Sequence, residues 1–114
     1  VSEPKLKAKL FIHAAIRRCS LQALPAVVAH KGDEDSGTIL VRVYMGGRQC
    51  RVYGQVRDAE GRLGWLCATG PQPVDEERAE AYVARARAID GDLWVLDVDS
   101  ADGSAPFLEP LFRA

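Results

Sequence analysis

The sequence predicts an α+β domain: one mixed, mainly antiparallel sheet with a three-stranded meander and two helices, in the order β-α-β-β-β-β-α-β. Three observations predict it. Short apolar runs rich in Val, Ile and Tyr, bounded by Gly, Pro and Asp, recur between residues 26 and 68, as strands require. The dipeptide Gly46-Gly47 joins two of those runs, and glycine supplies the positive φ that a two-residue hairpin turn needs. Residues 75 to 90 instead carry an apolar stripe at helical spacing, with acids at one end and arginines at the other.

Taken in order, Lys5 to Ile12 alternates lysines with Leu6, Ala8, Leu10 and Ile12, the period of two of a strand with one wet face. Ile12, Ile16, Cys19 and Ala23 then share a helical stripe, so a helix is expected near residues 13 to 24, before Pro25. A single helix running from Lys5 is the competing reading. Ala26 to His30 is a short strand. Thr38–Met45, Arg48–Val56 and Leu63–Ala68 form the meander, its second joint the polar turn Asp58 to Gly61. The helix from about Asp75 to Asp90 follows, with Ala79, Tyr82, Val83, Ala86 and Ile89 on its apolar face. Leu93 to Val98 is apolar on both faces at first, as an interior strand is. Residues 1–114 form one domain, with an irregular tail over about residues 100–114 that contains Pro106 and Pro110.

Fifteen basic and sixteen acidic residues leave a formal charge of −1, so global charge names no partner. A hydrophobic content of 47% suffices for a core without staples. Cys19, Cys50 and Cys67 are odd in number, widely spaced and set among apolar residues, the pattern of reduced, buried thiols. With no membrane-length apolar run and no signal-like start, the expectation is a cytoplasmic protein without a membrane partner.

The stretch HKGDEDSGT, residues 30 to 38, is the most chemically suggestive. Read from Asp33 as a calcium loop, it places Gly37 where an acid is needed and Tyr44 where the closing glutamate is needed. The template fails, and a tight turn remains, with aspartates bonding to nearby backbone. His13 and His30 lack any ligand-spaced partner, so no metal or cofactor is expected. Cys19 follows Arg17-Arg18 but shares the apolar stripe, which favours burial over nucleophilic chemistry. Asp97 and Asp99, with Asp33 or Asp35, could serve a small metal-dependent phosphoryl-transfer or nucleic-acid-processing enzyme. The lysine and glycine-rich motifs that accompany such sites are missing, and no catalytic residue is assigned.

The meander carries the sharpest constellation. If Gly46-Gly47 forms the turn, Met45 faces Arg48 and Val41 faces Val52. Arg42 then lies beside Arg51 on the second face, next to a row of Leu40, Tyr53 and Leu66. Like charges directly opposite call for a counter-charge from within the domain or from a partner. Those five residues are the candidate binding site of a non-catalytic binding or interaction module. The expected occupant is a protein partner or a second copy of the chain. Aromatic residues beside arginines also suit single-stranded nucleic acid, though no RNA-binding signature accompanies them.

Arg17-Arg18-Cys19, Gly32-Asp33-Glu34-Asp35-Ser36-Gly37, Ala68-Thr69-Gly70-Pro71 and Asp92-Leu93-Trp94-Val95 occur in this order. Together they resemble domain-of-unknown-function family 1491, a family of small uncharacterised alphaproteobacterial proteins. The resemblance spans nearly the whole chain. It implies a bacterial, stand-alone cytoplasmic domain and brings no catalytic role with it.

Overall fold

A computed structural model describes residues 7–112. The elements are α1 (Ala8–Leu21), β1 (Ala26–His30), β2 (Ile39–Gly46), β3 (Gln49–Arg57), β4 (Leu63–Cys67), β5 (Val74–Asp75), α2 (Glu76–Ile89), β6 (Trp94–Asp99) and β7 (Leu111–Phe112). They build an α+β fold around one mixed sheet of order β1-β6-β2-β3-β4-β7, with β5 paired to β3. β6 runs parallel to β2, and β7 runs parallel to β4. The other pairs are antiparallel.

The strand expected over Lys5–Ile12 is a correction. Lys5 and Leu6 lie outside the described residues, and Ala8 already begins α1. Ala8 and Ile12 satisfy a period of two and a helical period alike. The stripe that decides is Ala8, Ile12, Ala15 and Cys19, all buried on one face. Lys9 helps to hold the first turn through Glu34, at 3.0 Å. The helix ends earlier than expected, and Ala23 turns into the left-handed region at φ 57°.

Both faces of the sheet are covered. On one, α1 and the segment Ala105–Leu108 enclose Val41, Val43, Tyr53, Trp65, Leu96 and Val98. Phe11, Trp65 and Phe107 meet there as an aromatic cluster, with centroids 5.7 to 6.0 Å apart. On the other face, α2 lays Ala79 and Val83 over Cys50, Val52, Leu93 and Val95. Asp75 caps α2 by accepting the Arg78 amide at 2.8 Å. Ile89, expected on its buried face, stands 88% exposed. The tail expected to be irregular packs Phe107 and Leu108 into the core and contributes β7.

The register of the meander differs from expectation by one residue. The two turn residues are Gly47 and Arg48, at φ 59° and 62°, rather than Gly46-Gly47. An irregularity between Tyr44 and Gly46 then takes Met45 out of step, so Val41 faces Tyr53, Arg42 faces Val52 and Val43 faces Arg51. The next joint holds one residue more than the four expected, and Tyr53 faces Cys67 in place of Leu66. The slip has a physical reason: with apolar residues on both faces of β2 and β3, burial does not select one register over its neighbour.

Candidate binding site

Because opposed residues share a face and neighbours alternate, Arg42 and Arg51 lie on opposite faces of the sheet. The common row with Leu40, Tyr53 and Leu66 therefore does not form. Arg42 lies on the α2 side, 7% exposed. Its Nε and Nη2 donate to the two carboxylate oxygens of Asp97 at 2.9 and 3.0 Å, and its Nη1 donates to Glu80 on α2 at 2.7 Å. The Tyr44 ring lies 5.3 Å below the guanidinium carbon. Burial works against the charge, but the hydrogen bonds and charge of Asp97, then Glu80, outweigh it and hold Arg42 above its ordinary range. Among the described residues, the neutralising acids that two facing arginines would call for are found at Arg42 and not at Arg51.

This pairing occupies a carboxylate that a metal would need. Asp33 is likewise engaged: its Oδ2 accepts the amides of Asp35 and Ser36 and the Ser36 hydroxyl, at 3.1, 2.8 and 2.9 Å. The stretch from Gly32 to Gly37 is thus an Asx-type turn. Among the described residues, no three His, Cys, Asp or Glu side chains gather in a metal-binding group.

Three of the predicted residues do converge. Arg51, Tyr53 and Leu66 line an open cleft of about 520 Å³ at the β4 edge of the sheet, with Cys67, Gly70, Pro71, Leu111 and Phe112. Leu40 is not among them. It lines a separate hollow of about 320 Å³ with Gly54, Tyr82 and Leu93, which Leu66 also borders. The cleft is built by two segments that cross the end of β3. The turn after β4 bonds to Val52, the Ala68 amide donating to its carbonyl at 2.7 Å and Thr69 Oγ1 accepting from its amide at 3.3 Å. That brings the Pro71 carbonyl to Arg51 Nη1, at 3.1 Å. On the other side the buried Tyr53 hydroxyl donates to the Gly103 carbonyl at 2.9 Å, and burial pushes the phenol up from its ordinary pKa. Sequence reasoning missed Leu111 and Phe112 because they follow prolines in a tail with no periodicity. Ala68-Thr69-Gly70-Pro71 was visible as a motif, and its glycine at φ 96° is the local signal of a shaped turn.

The other motifs pack together as well. The Asp33 amide donates to the Asp92 carbonyl at 2.8 Å, and Trp94 Nε1 donates to the Asp33 carbonyl at 2.7 Å. Arg18 reaches Glu109 at 3.0 Å, while Cys19 beside it is fully buried. A model described as "Protein of unknown function (DUF1491)" matches residues 6–108. The chain belongs to the DUF1491 family. A crystal structure of a DUF1491 family protein from Caulobacter crescentus CB15 is similar, with 30% identity and a TM-score of 0.84 over 95% of this chain and 100% of that one. An NMR structure of a DUF1491 family protein from the same organism has 29% identity and a TM-score of 0.80, covering 96% and 99%. The solution structure of protein Atu0922 from A. tumefaciens has 25% identity and a TM-score of 0.79, covering 97% and 98%. No curated protein matches the chain. The family accounts for the fold, and its description names no activity. Among the described residues, no helix is long and apolar enough to cross a membrane.

Proposed function

We propose that this DUF1491 chain is a non-catalytic binding module, with the cleft around Arg51, Tyr53 and Leu66 as its ligand seat. One observation carries the reading. Arg51 borders an apolar hollow of small-molecule size, about 520 Å³, and no carboxylate pairs with it among the described residues. A concave seat of this kind suits a compact ligand better than a flat protein face. Nucleic acid would need an open platform for stacking, and both sheet faces here carry cover. The phosphoryl-transfer reading loses support because Asp97 is held by Arg42. Residence in the cytoplasm belongs to the same proposal and rests on three unpaired thiols.

A screen of small fragments, followed through backbone-amide NMR shifts, tests the seat. Hits should gather at Cys67, Gly70, Leu111 and Phe112, and Leu66→Lys should disperse them. Hits that gather instead over α2 or along β1 would refute the reading.

A further inference from the structure

We infer that the cleft takes a small amphiphilic monocarboxylate, its apolar body against Leu66, Leu111 and Phe112 and its carboxylate on Arg51. The inference rests on the binding-module reading and names the ligand class for the same site.

The first argument is the fixed position of the guanidinium. Pro71 accepts from Nη1 at 3.1 Å. The Arg51 stem packs so closely on Gly103 that a methyl group there would come within 3.2 Å of its Cδ and Nε. A cation held at two points loses little further freedom when it binds, and its other N–H donors have no protein acceptor among the described residues.

The second argument is charge. Among the described residues, the other lining residues (Tyr53, Leu66, Cys67, Gly70, Pro71, Leu111 and Phe112) include no second cation. One guanidinium matches one negative charge, as on a carboxylate, whereas a phosphate monoester would bring nearly two. Arg42 makes the contrast within the same sheet: its N–H donors are already taken by acids of its own chain.

The third argument is apolar surface. Leu111 is 56% exposed at the cleft although it is a large hydrophobic side chain. A ligand with an apolar body would cover it and remove that surface from water.

The test titrates the full chain, labelled with nitrogen-15, with octanoate and 4-phenylbutyrate. Their primary amides serve as neutral controls, and octyl phosphate as the dianion. Saturable shifts at Cys67, Gly70, Leu111 and Phe112 are expected. Each acid should bind roughly tenfold or more tightly than its amide, the worth of one charge-assisted hydrogen bond. Arg51→Met keeps the apolar stem and should abolish that preference. The comparison of acid with amide uses the unaltered protein, so it stands even if the variant fails to fold. Equal affinity of acid and amide would overturn the monocarboxylate and leave the binding seat intact, as would a preference for octyl phosphate. No saturation by any probe up to about 10 mM overturns the inference. If the fragment hits also avoid the cleft, the binding reading falls with it.

Discussion

Trp94 donates its indole N–H to the main-chain carbonyl of Asp33, 2.7 Å away across sixty-one positions of sequence. The contact explains both glycines of the acidic turn. A methyl group on Gly32 would lie 2.1 Å from the Asp92 carbonyl oxygen, and one on Gly37 would lie 2.5 Å from the same atom. The turn is pressed against the start of β6, and only glycine lets the backbones approach so closely.

Gly32→Ala should therefore destabilise the domain by about 3 kcal/mol, because the obstacle is backbone that cannot step aside. Trp94→Phe keeps much of the packing and orphans one carbonyl, at a cost of about 1 to 3 kcal/mol. Urea unfolding measures both. A Gly32→Ala midpoint equal to that of the parent chain would mean the turn does not seat on β6.

The two acids on Arg42 should differ sharply in weight. Asp97 is 17% exposed and Glu80 is 67% exposed. Asp97→Asn leaves a buried guanidinium short of its main partner and should cost about 3 kcal/mol. Glu80→Gln acts at the surface and should cost less than about 1 kcal/mol. Equal losses in chemical denaturation would contradict the asymmetry.

Thiol labelling should follow depth. Cys19 and Cys50 are fully buried, and loss of hydration pushes both thiols up from their ordinary pKa, with Arg18 only partly opposing this at Cys19. Cys67 is partly exposed and borders the cleft. A disulfide reagent should modify Cys67 first, and the other two only as the chain opens. Early modification of Cys19, located by peptide mass mapping, would instead mark it as a reactive nucleophile.

Acid should unfold the loops from their carboxylates. The amide of Ser36 lowers the pKa of Asp33, the amide of Arg62 that of Asp58, and the Ser104 hydroxyl that of Asp102. Each folded value then lies below the unfolded one of about 3.9. Their contribution is complete above that value and is lost as pH falls through the lower folded value. The urea midpoint should decline below about pH 4, and Asp102→Asn should flatten that decline. A midpoint unchanged down to about pH 2 would rule out the linkage.

Much of the fold is legible in the residues. Ala26–His30 is the predicted strand to the residue, and Glu76–Ile89 is the predicted helix within a residue at each end. Both have strong local cause: a bounded apolar run in one, a cap with matched charges in the other. The first helix was obscured because Ala8 and Ile12 fit two periods at once. The geometry of the candidate cleft was half legible. Arg51, Tyr53 and Leu66 meet at one cleft, but Arg42 belongs elsewhere because a single bulged residue, Met45, reverses the face. A bulge leaves no periodic trace, and the contacts of Phe112 with β4 and of Gly103 with Tyr53 join parts of the chain too distant for any local pattern to link.

The placement of β6 between β1 and β2 also sets a timetable for synthesis. Neither Ala26–His30 nor Ile39–Gly46 can complete its pairing until Trp94–Asp99 has been made. During translation the ribosome thus releases two apolar strands with open edges and no partner between them. The meander and α2 can assemble locally, whereas closure of the sheet waits for the last third of the chain. A chain stopped before Trp94 leaves β1 without its pairing strand and one edge of β2 open.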